Sequence, residues 1–507
     1  MKQTKQTGYG EQGERNQGPL LLWLLPVFAG FLFCLWYIKS ASCDVVYSDY
    51  IRLIDAYLPD VTDPSKFLVP DVLTRIPASF LQRLINVKLF DYSVTFDRVC
   101  AASGLLLCGT VLALYARRER LSGKLYLFWL AVLCVLFSLI KWEALLNGTA
   151  WAHVVSFGLF FLHYYLLDSM FQLSLKECVE AGSRERCRKL SVLLTVLPFF
   201  ILMFAGEYIA AYCGVLILAY AYCLFCACHA GKPASGAVRL YLLPFLSVLC
   251  VLMLYLLSRH FAVWEHAGAT ELSFSEAMAR EPLFLPRFFV KTFAGAVLGQ
   301  ETIAALAERG FLNDNAVFAA GLLVIVAYVF ALYLYFVKAE LYRKTLFPLI
   351  LLLSGGMNHV LVTASRWIFL KESYALSSRY AAQFMIGIIG ILLIFALYRR
   401  ETAGNPAGAC RIGAGEAGVC RPCKICNGIL IAFCIFFLAG NCYTTYDEIK
   451  KAPYREENYE AMAAMLRDHE AYSPEELCKR LEWGKSPAVL EHVIEILEEN
   501  HLNVFRR

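Results

Sequence analysis

The chain has 507 residues, of which 59% are hydrophobic and only 18% charged, with a mean hydropathy of +0.55. Soluble chains carry about a quarter charged residues, so a water-soluble globule is excluded. The net charge of +5 is modest for this length and suits orientation-setting Lys and Arg in loops; nucleic acid, which needs a clustered basic face, is not an expected partner.

A membrane-spanning helix needs roughly 20 mainly apolar residues. Segments of that kind are predicted at 20–38, 100–116, 125–140, 152–172, 189–205, 208–228, 239–258, 316–337, 346–364, 380–398 and 427–443. The expected fold class is an all-α polytopic membrane protein with about eleven transmembrane helices. The first segment follows Lys2, Lys5 and Arg15 but is too long for an ordinary signal sequence, and Trp23 and Trp36 bracket it like interfacial anchors. It is read as a retained helix.

Orientation follows from the short connections. With the tail 1–19 in the cytoplasm, the inside loops carry Arg117, Arg118 and Arg120, then Arg184, Arg186, Arg188 and Lys189. They continue with Lys232 and Arg239, Lys338, Arg343 and Lys344, and the run from Arg399 to Lys424. Every inside loop is then basic, as the positive-inside rule requires. The bundle 20–443 thereby places loops 39–99, 259–315 and 365–379 outside, together with a domain at 444–507. A multi-pass protein of a cell membrane is expected, of the bacterial inner or plasma-membrane kind.

In the first outer loop, Tyr47–Asp55 reads as a helix start with Ser48 at the N-cap, Asp49 at the first position and Arg52 following, stopping before Pro59. A carboxylate there is held ionised by the positive helix end and suits general-base work on a hydroxyl; the alternative is that Asp49 only improves the cap. Asp44 and Asp55 are rival acids, while Asp60, Asp63 and Asp71 look like turn residues beside prolines. Residues 72–90 form an amphipathic stretch, with Pro77 near a helix start. Leu73, Ile76, Phe80, Leu81, Leu84, Ile85 and Phe90 oppose Arg75, Gln82, Arg83, Asn86 and Lys88. Such a helix can lie in the membrane interface with Arg75, Arg83 and Lys88 toward phosphate head groups, or simply pack.

Candidates of lower rank lie in the second long loop: Arg259, His260, Glu265, His266, Arg280, Arg287 and Lys291. Within the spans, Asn358-His359 after Gly355-Gly356 is the clearest polar insertion, followed by His163, Asp168 and Glu207; an ordinary interhelical hydrogen bond is the other reading. The loop 365–379 carries Arg366, Lys371, Ser377, Ser378, Arg379 and Tyr380. Arg366 and Arg379 flank it and, with Lys371, can grip a phosphate bidentately or merely snorkel to the interface. In the tail, Ser473-Pro474-Glu475-Glu476 has the form of a capped helix start. Ser486-Pro487 repeats the signal before Val489, Val493, Ile494, Ile496 and Leu497, and Tyr459–Leu466 makes a third short helix. A packing domain and a partner- or substrate-gating unit are both consistent with it.

Most of the nineteen cysteines lie inside apolar runs, where Cys acts as a small hydrophobe. A pairing among Cys43, Cys100, Cys442 and Cys478 is open but not assignable from spacing. Cys410, Cys420, Cys423 and Cys426 include the run Cys420-Arg-Pro-Cys423-Lys-Ile-Cys426, a weak zinc signal without a separate second pair. No cofactor is assigned; a divalent cation stays open, with no metal ligands identified. Phosphate-loop, dinucleotide, zinc-protease and nucleophile-elbow signatures are absent.

This architecture resembles the polytopic GT-C-type glycosyltransferases, at motif level through Tyr47–Asp55, Ser377-Ser378-Arg379-Tyr380 and Arg366. The segments Arg75–Asn86 and Ser377–Tyr380 also look like pieces of bacterial membrane proteins of this type. The chain departs from the pattern in lacking an adjacent acidic pair and a metal-binding acidic motif in the second loop. The resemblance implies a polyprenyl-phosphate-linked sugar donor, membrane lipid around it, and a glycan or lipid acceptor. Asp49 would be the base for inverting transfer; Asp44, Arg52, Asp55, Arg75, Asn358, His359, Arg366, Lys371, Arg379 and Tyr380 are candidates for binding substrate. A polysaccharide polymerase or ligase would depend instead on the Arg and His of loop 259–315. A transporter or flippase would show paired broken helices, of which Gly355-Gly356 is a single instance without a mate; a non-enzymatic scaffold would lack an outer cavity.

Overall fold

The computed structural model describes residues 19–69, 76–176, 181–229, 234–260, 268–404 and 421–506. Among them there is no strand. In chain order the helices are α1 (Leu20–Ala41), α2 (Asp49–Tyr57), α3 (Pro77–Phe90), α4 (Val94–Arg118), α5 (Tyr126–Leu136) and α6 (Trp142–Leu146). Then come α7 (Trp151–Lys176), α8 (Ala181–Ala205), α9 (Ile209–His229), α10 (Ala234–Arg259), α11 (Phe274–Arg280), α12 (Phe284–Ala294) and α13 (Gln300–Glu308). The last six are α14 (Asp314–Tyr333), α15 (Phe347–Arg366), α16 (Ser378–Gly404), α17 (Arg421–Arg467), α18 (Pro474–Arg480) and α19 (Pro487–Glu499).

Ten helical stretches among the described residues are long and apolar enough to cross a membrane. The predicted segments fall within them to within one residue, because one stretch of 46 residues, Arg184–His229, holds two. At 1.5 Å per residue that stretch is about twice the thickness of a bilayer core. A 3-10 turn at Gly206–Tyr208 divides it, with Gly206 at φ +53°, and both halves pack on α10.

The bundle is organised around α16, which is buried over its whole apolar length. Its closest neighbour is α15, and glycines set that distance. A Cβ on Gly355 would stand 2.4 Å from Gly387 Cα, and one on Gly390 would stand 2.5 Å from the Leu352 nitrogen. Small residues let two backbones approach where burying apolar surface gives no driving force between helices. Gly355-Gly356 therefore does not interrupt a helix: α15 runs through it unbroken, and the feature weighed for transport is a packing contact. Gly355→Leu is expected to lower the detergent melting temperature strongly, since overpacking against backbone cannot be relieved by a rotamer; Gly356→Ala, with open space around its Cβ apart from one contact at 3.8 Å, is expected to leave it near wild type.

Two ends of the bundle differ in chemistry. At one end the basic connections meet: Arg118 pairs with Asp168, Arg400 with Glu119 at 2.8 Å, and Thr345 Oγ1 donates to Asp168 at 2.9 Å. Asp168 is thus a buried tie between helices. Asp97, at the other end of α4, is about 30 Å away at 1.5 Å per residue, and there the long loops gather.

The tail differs from its expected form. Tyr459–Leu466 is no separate helix; α17 runs on from the bundle through Pro453 to Arg467. Ser473 caps α18 as expected, its hydroxyl accepting from the Glu476 N–H at 3.2 Å. Ser486 stands before α19 without a side-chain cap bond. The tail is bound to the first loop by backbone: Ser48 N–H donates to Leu481 O at 2.8 Å, and Asn503 N–H to Asp91 O at 2.7 Å. Trp23 is buried against Tyr126 and Trp129 and is no interfacial anchor, whereas Trp36 is exposed. Cys43, Cys100, Cys442 and Cys478 are all free thiols, so none of the weighed disulfides forms.

Candidate functional site

Helix α2 is short and one-sided. Tyr50, Ile51, Ile54 and Tyr57 are buried, a helical stripe that turns Asp49, Arg52 and Leu53 to one side and Asp55 to solvent. Ser48 does not cap it as expected: its φ is +50°, and its side chain makes no cap hydrogen bond. Its N–H is tied to the tail instead, and this fixes the start of α2 and hence Asp49.

Asp49, Arg52 and Leu53 line a cavity of about 540 Å³ together with Arg366, Arg379 and Tyr380. Its remaining wall comes from Ile76 and α3 (Ser79, Arg83), the α6–α7 region (Glu143, Asn147, His153), Glu207 and Tyr208, and the tail residues Trp483 and Lys485. Residues 330 positions apart in sequence, from Asp49 to Arg379, thus share one space. Three carboxylates reach it. Glu143 is paired with Arg379 and accepts from the Ser378 hydroxyl at 2.8 Å. Glu207 lies 3.5 Å from His153. Among the described residues Asp49 alone of the three has neither ion pair nor hydrogen bond.

The cations divide in the same way. Arg379 is spent on Glu143, whereas Arg366 has no ion pair among the described residues. Its guanidinium lies over the Tyr380 ring at 5.6 Å, and its Nε is buried without an acceptor. A buried unpaired donor costs free energy, and the residue that carries it also lines the cavity. A second cavity, of about 380 Å³, adjoins the first through Glu143, Asn147 and Arg379. Tyr47, Trp142, Glu301, Tyr454, Tyr459 and Glu482 line it.

Under α2 lies a buried polar cluster centred on Asp97. It receives hydrogen bonds from Tyr50 Oη at 3.0 Å, Arg83 Nη1 at 2.5 Å, Asn86 Nδ2 at 2.9 Å and Gln82 Nε2. Burial works against the Arg83 charge, but the Asp97 carboxylate outweighs it, and the guanidinium is held above its usual range. Burial pushes the Tyr50 phenol well above its ordinary value, so it stays a donor. Helix α3 therefore departs from the expectation: Gln82, Arg83 and Asn86 point inward with Phe80, while Leu81, Ile85 and Leu89 are exposed together with Lys88. Arg83 does not reach toward head groups.

Of the residues expected to bind substrate, Arg52, Arg366, Arg379 and Tyr380 join Asp49 in the cavity. The others do not. Asp44 accepts from the Val94 N–H at 2.6 Å and pairs with Arg506 at 3.3 Å, holding the start of α4 to the tail. Asp55 and Lys371 are exposed and line no part of the cavity. Asn358 Nδ2 returns to its own helix at Ser354 O, 2.9 Å away. The His359 ring is stacked between Phe293 and Phe384, with Nδ1 2.9 Å from Thr292 Oγ1. Both are buried packing groups, as is His163 between Tyr212 and Tyr220. Arg75, His266, Glu265, Asp71, Cys410 and Cys420 lie outside the described residues, as does the side chain of Cys423. Arg287 and Lys291 form an ion cluster with Asp314 and Glu372 that ties α12 to α14. No group of three or more His, Cys, Asp or Glu suited to a metal is found among the described residues.

Glu143, His153, Tyr208, Trp483 and Lys485 were not anticipated. Glu143 ends the apolar run 125–140, where a charge beside Trp142 is a detectable signal. Nothing local marks Trp483 and Lys485. Asn147, in the sequon Asn147-Gly148-Thr149, is buried, and its Oδ1 accepts from Thr149 Oγ1 at 2.7 Å. Comparison of the chain with protein-family models, with curated proteins and with solved structures finds no match.

Proposed function

We propose that this chain is a GT-C-like membrane glycosyltransferase that moves a sugar from a polyprenyl-phosphate donor to a hydroxyl of a glycan, lipid or envelope polymer. In this reading it crosses the bilayer eleven times, with its N-terminus in the cytoplasm and the Asp49 cavity on the outer face. The carrying observation is that one cavity holds a carboxylate, Asp49, and a guanidinium, Arg366, neither of which has an ion pair among the described residues.

Asp49 accepts the proton of the acceptor hydroxyl. The oxygen attacks the anomeric carbon as the bond from that carbon to the phosphate oxygen breaks, and the configuration inverts. The phosphate leaves with both bonding electrons, and Arg366 receives its charge, where preorganised donors act most strongly. Arg379 and Lys371 are not given this role: Arg379 is neutralised by Glu143, and Lys371 lies elsewhere. The adjoining aromatic and acidic cavity suits the acceptor. A polymerase or ligase working through loop 259–315 is less well supported, since among the described residues that loop adds Glu301 to the adjoining cavity and none to the Asp49 cavity.

The test is transfer of radiolabelled sugar from polyprenyl-phosphate donors by the purified chain in lipid nanodiscs. Arg366→Ala is expected to raise the donor KM by about 10–100-fold, the worth of a charge-assisted hydrogen bond. Absence of transfer from every donor of this class, or an Arg366→Ala variant with unchanged donor KM, overturns the reading.

A further inference from the structure

We infer that α3 is embedded in the lipid at the membrane interface as the outer wall of the Asp49 cavity, and that the apolar chain of the lipid-linked substrate runs over it. The second part rests on the transferase reading; the first does not. Helix α3 has two faces with opposite loyalties. Ile76, just before it, and Ser79 and Arg83 line the cavity, while Gln82, Arg83 and Asn86 are consumed by Asp97. On the other side Leu81, Ile85 and Leu89 are 47%, 45% and 71% exposed.

A helix at a water boundary keeps its polar side outward. This one cannot turn over without withdrawing Arg83, Gln82 and Asn86 from a buried carboxylate, so its leucines stay outside. Three large apolar side chains at i, i+4 spacing on one face, Leu81, Ile85 and Leu89, with Phe67 and Leu68 also exposed beside them, are a patch that water does not tolerate but acyl chains do. The patch is continuous with a lipid-facing surface: α3 packs on α8, a membrane-crossing candidate whose Val192, Val196, Phe199 and Phe200 are likewise exposed. A helix lying between lipid on one side and the Asp49 cavity on the other is where a substrate with a phosphate head and a polyprenyl tail must pass. Its head then reaches Arg366 while the tail stays in the apolar phase.

Benzoylphenylalanine placed at Leu89, at Ile85 and, as a water-facing comparison, at Asp55 reads the first part directly. The full chain is reconstituted in vesicles of phosphatidylethanolamine and phosphatidylglycerol, irradiated, and examined by mass spectrometry. Lipid adducts at Leu89 and Ile85 but not at Asp55 are expected. Adducts no greater than at Asp55, or crosslinks to a second copy of the chain, overturn the proposal, and neither result touches the role of Asp49. For the second part, Leu89→Lys is expected to raise the KM of a long-chain donor about tenfold, the worth of losing one apolar side-chain contact, and to leave a short-chain soluble donor unaffected. Equal effects on both donors overturn the portal.

Discussion

Asp49→Asn is expected to reduce kcat for sugar transfer by about 10²–10⁴-fold, the usual contribution of a positioned general base, while donor binding stays within a factor of two or so of wild type. The expectation is sharp because the same substitution has little to disturb. Asp49 makes no hydrogen bond and no ion pair among the described residues. Its one structural asset is its place at the first position of α2, where a carboxylate favours the helix by about 0.3–1 kcal/mol. The detergent melting temperature should therefore hardly move. Undiminished turnover in Asp49→Asn would remove Asp49 as the base. Loss of turnover together with a large fall in melting temperature would mean that the helix, and not the proton transfer, had failed. Glu207→Gln is the internal comparison, a cavity carboxylate already facing His153 at 3.5 Å, and it is expected to retain activity.

Asp97→Asn is expected to have the largest effect on stability, about 3–5 kcal/mol, because it leaves the Arg83 charge buried without a counter-charge. Arg83 is 1% exposed and Asp97 is fully buried. Four donors converge on that carboxylate, and an amide can accept only part of that set. Thermal unfolding in detergent measures the loss, and the double variant Asp97→Asn/Arg83→Gln is the decisive addition. Removing both charges should recover much of the stability, giving a coupling of about 0.5–3 kcal/mol between the two sites. Independent, additive losses would show that the cluster is held by shape and not by charge. Because α3 and α2 both rest on Asp97, the single variant should also lose the cavity and with it transfer.

Part of the Asp49 cavity was legible in the sequence and part was not. Asp49 was legible because its chemistry is local: a carboxylate at a helix start, directly after an apolar span, needs no distant partner to be recognised. Arg52, Arg366, Arg379 and Tyr380 were legible for a related reason, since short charged loops between apolar spans have few places to go. Asn358 and His359 were left with two readings, because polarity inside a span points equally to a cavity and to a buried hydrogen bond. Only the positions of Thr292, Phe293 and Phe384 settle which.

Helix α3 is the clearest division. Its periodicity fixed that it would be amphipathic, but not which face would turn inward. That choice fell to Asp97, a residue seven positions beyond the helix, because a buried carboxylate needs donors more than a helix needs its polar face wet. The tail shows the same thing at longer range. By itself the sequence determined an all-α chain rich in membrane-crossing segments, since apolar length is a property of each segment alone. The tertiary structure decided that Trp483 and Lys485 would close the cavity opened by Asp49, because the backbone bond from Ser48 to Leu481 joins segments separated by more than four hundred residues, and no local pattern encodes such a contact.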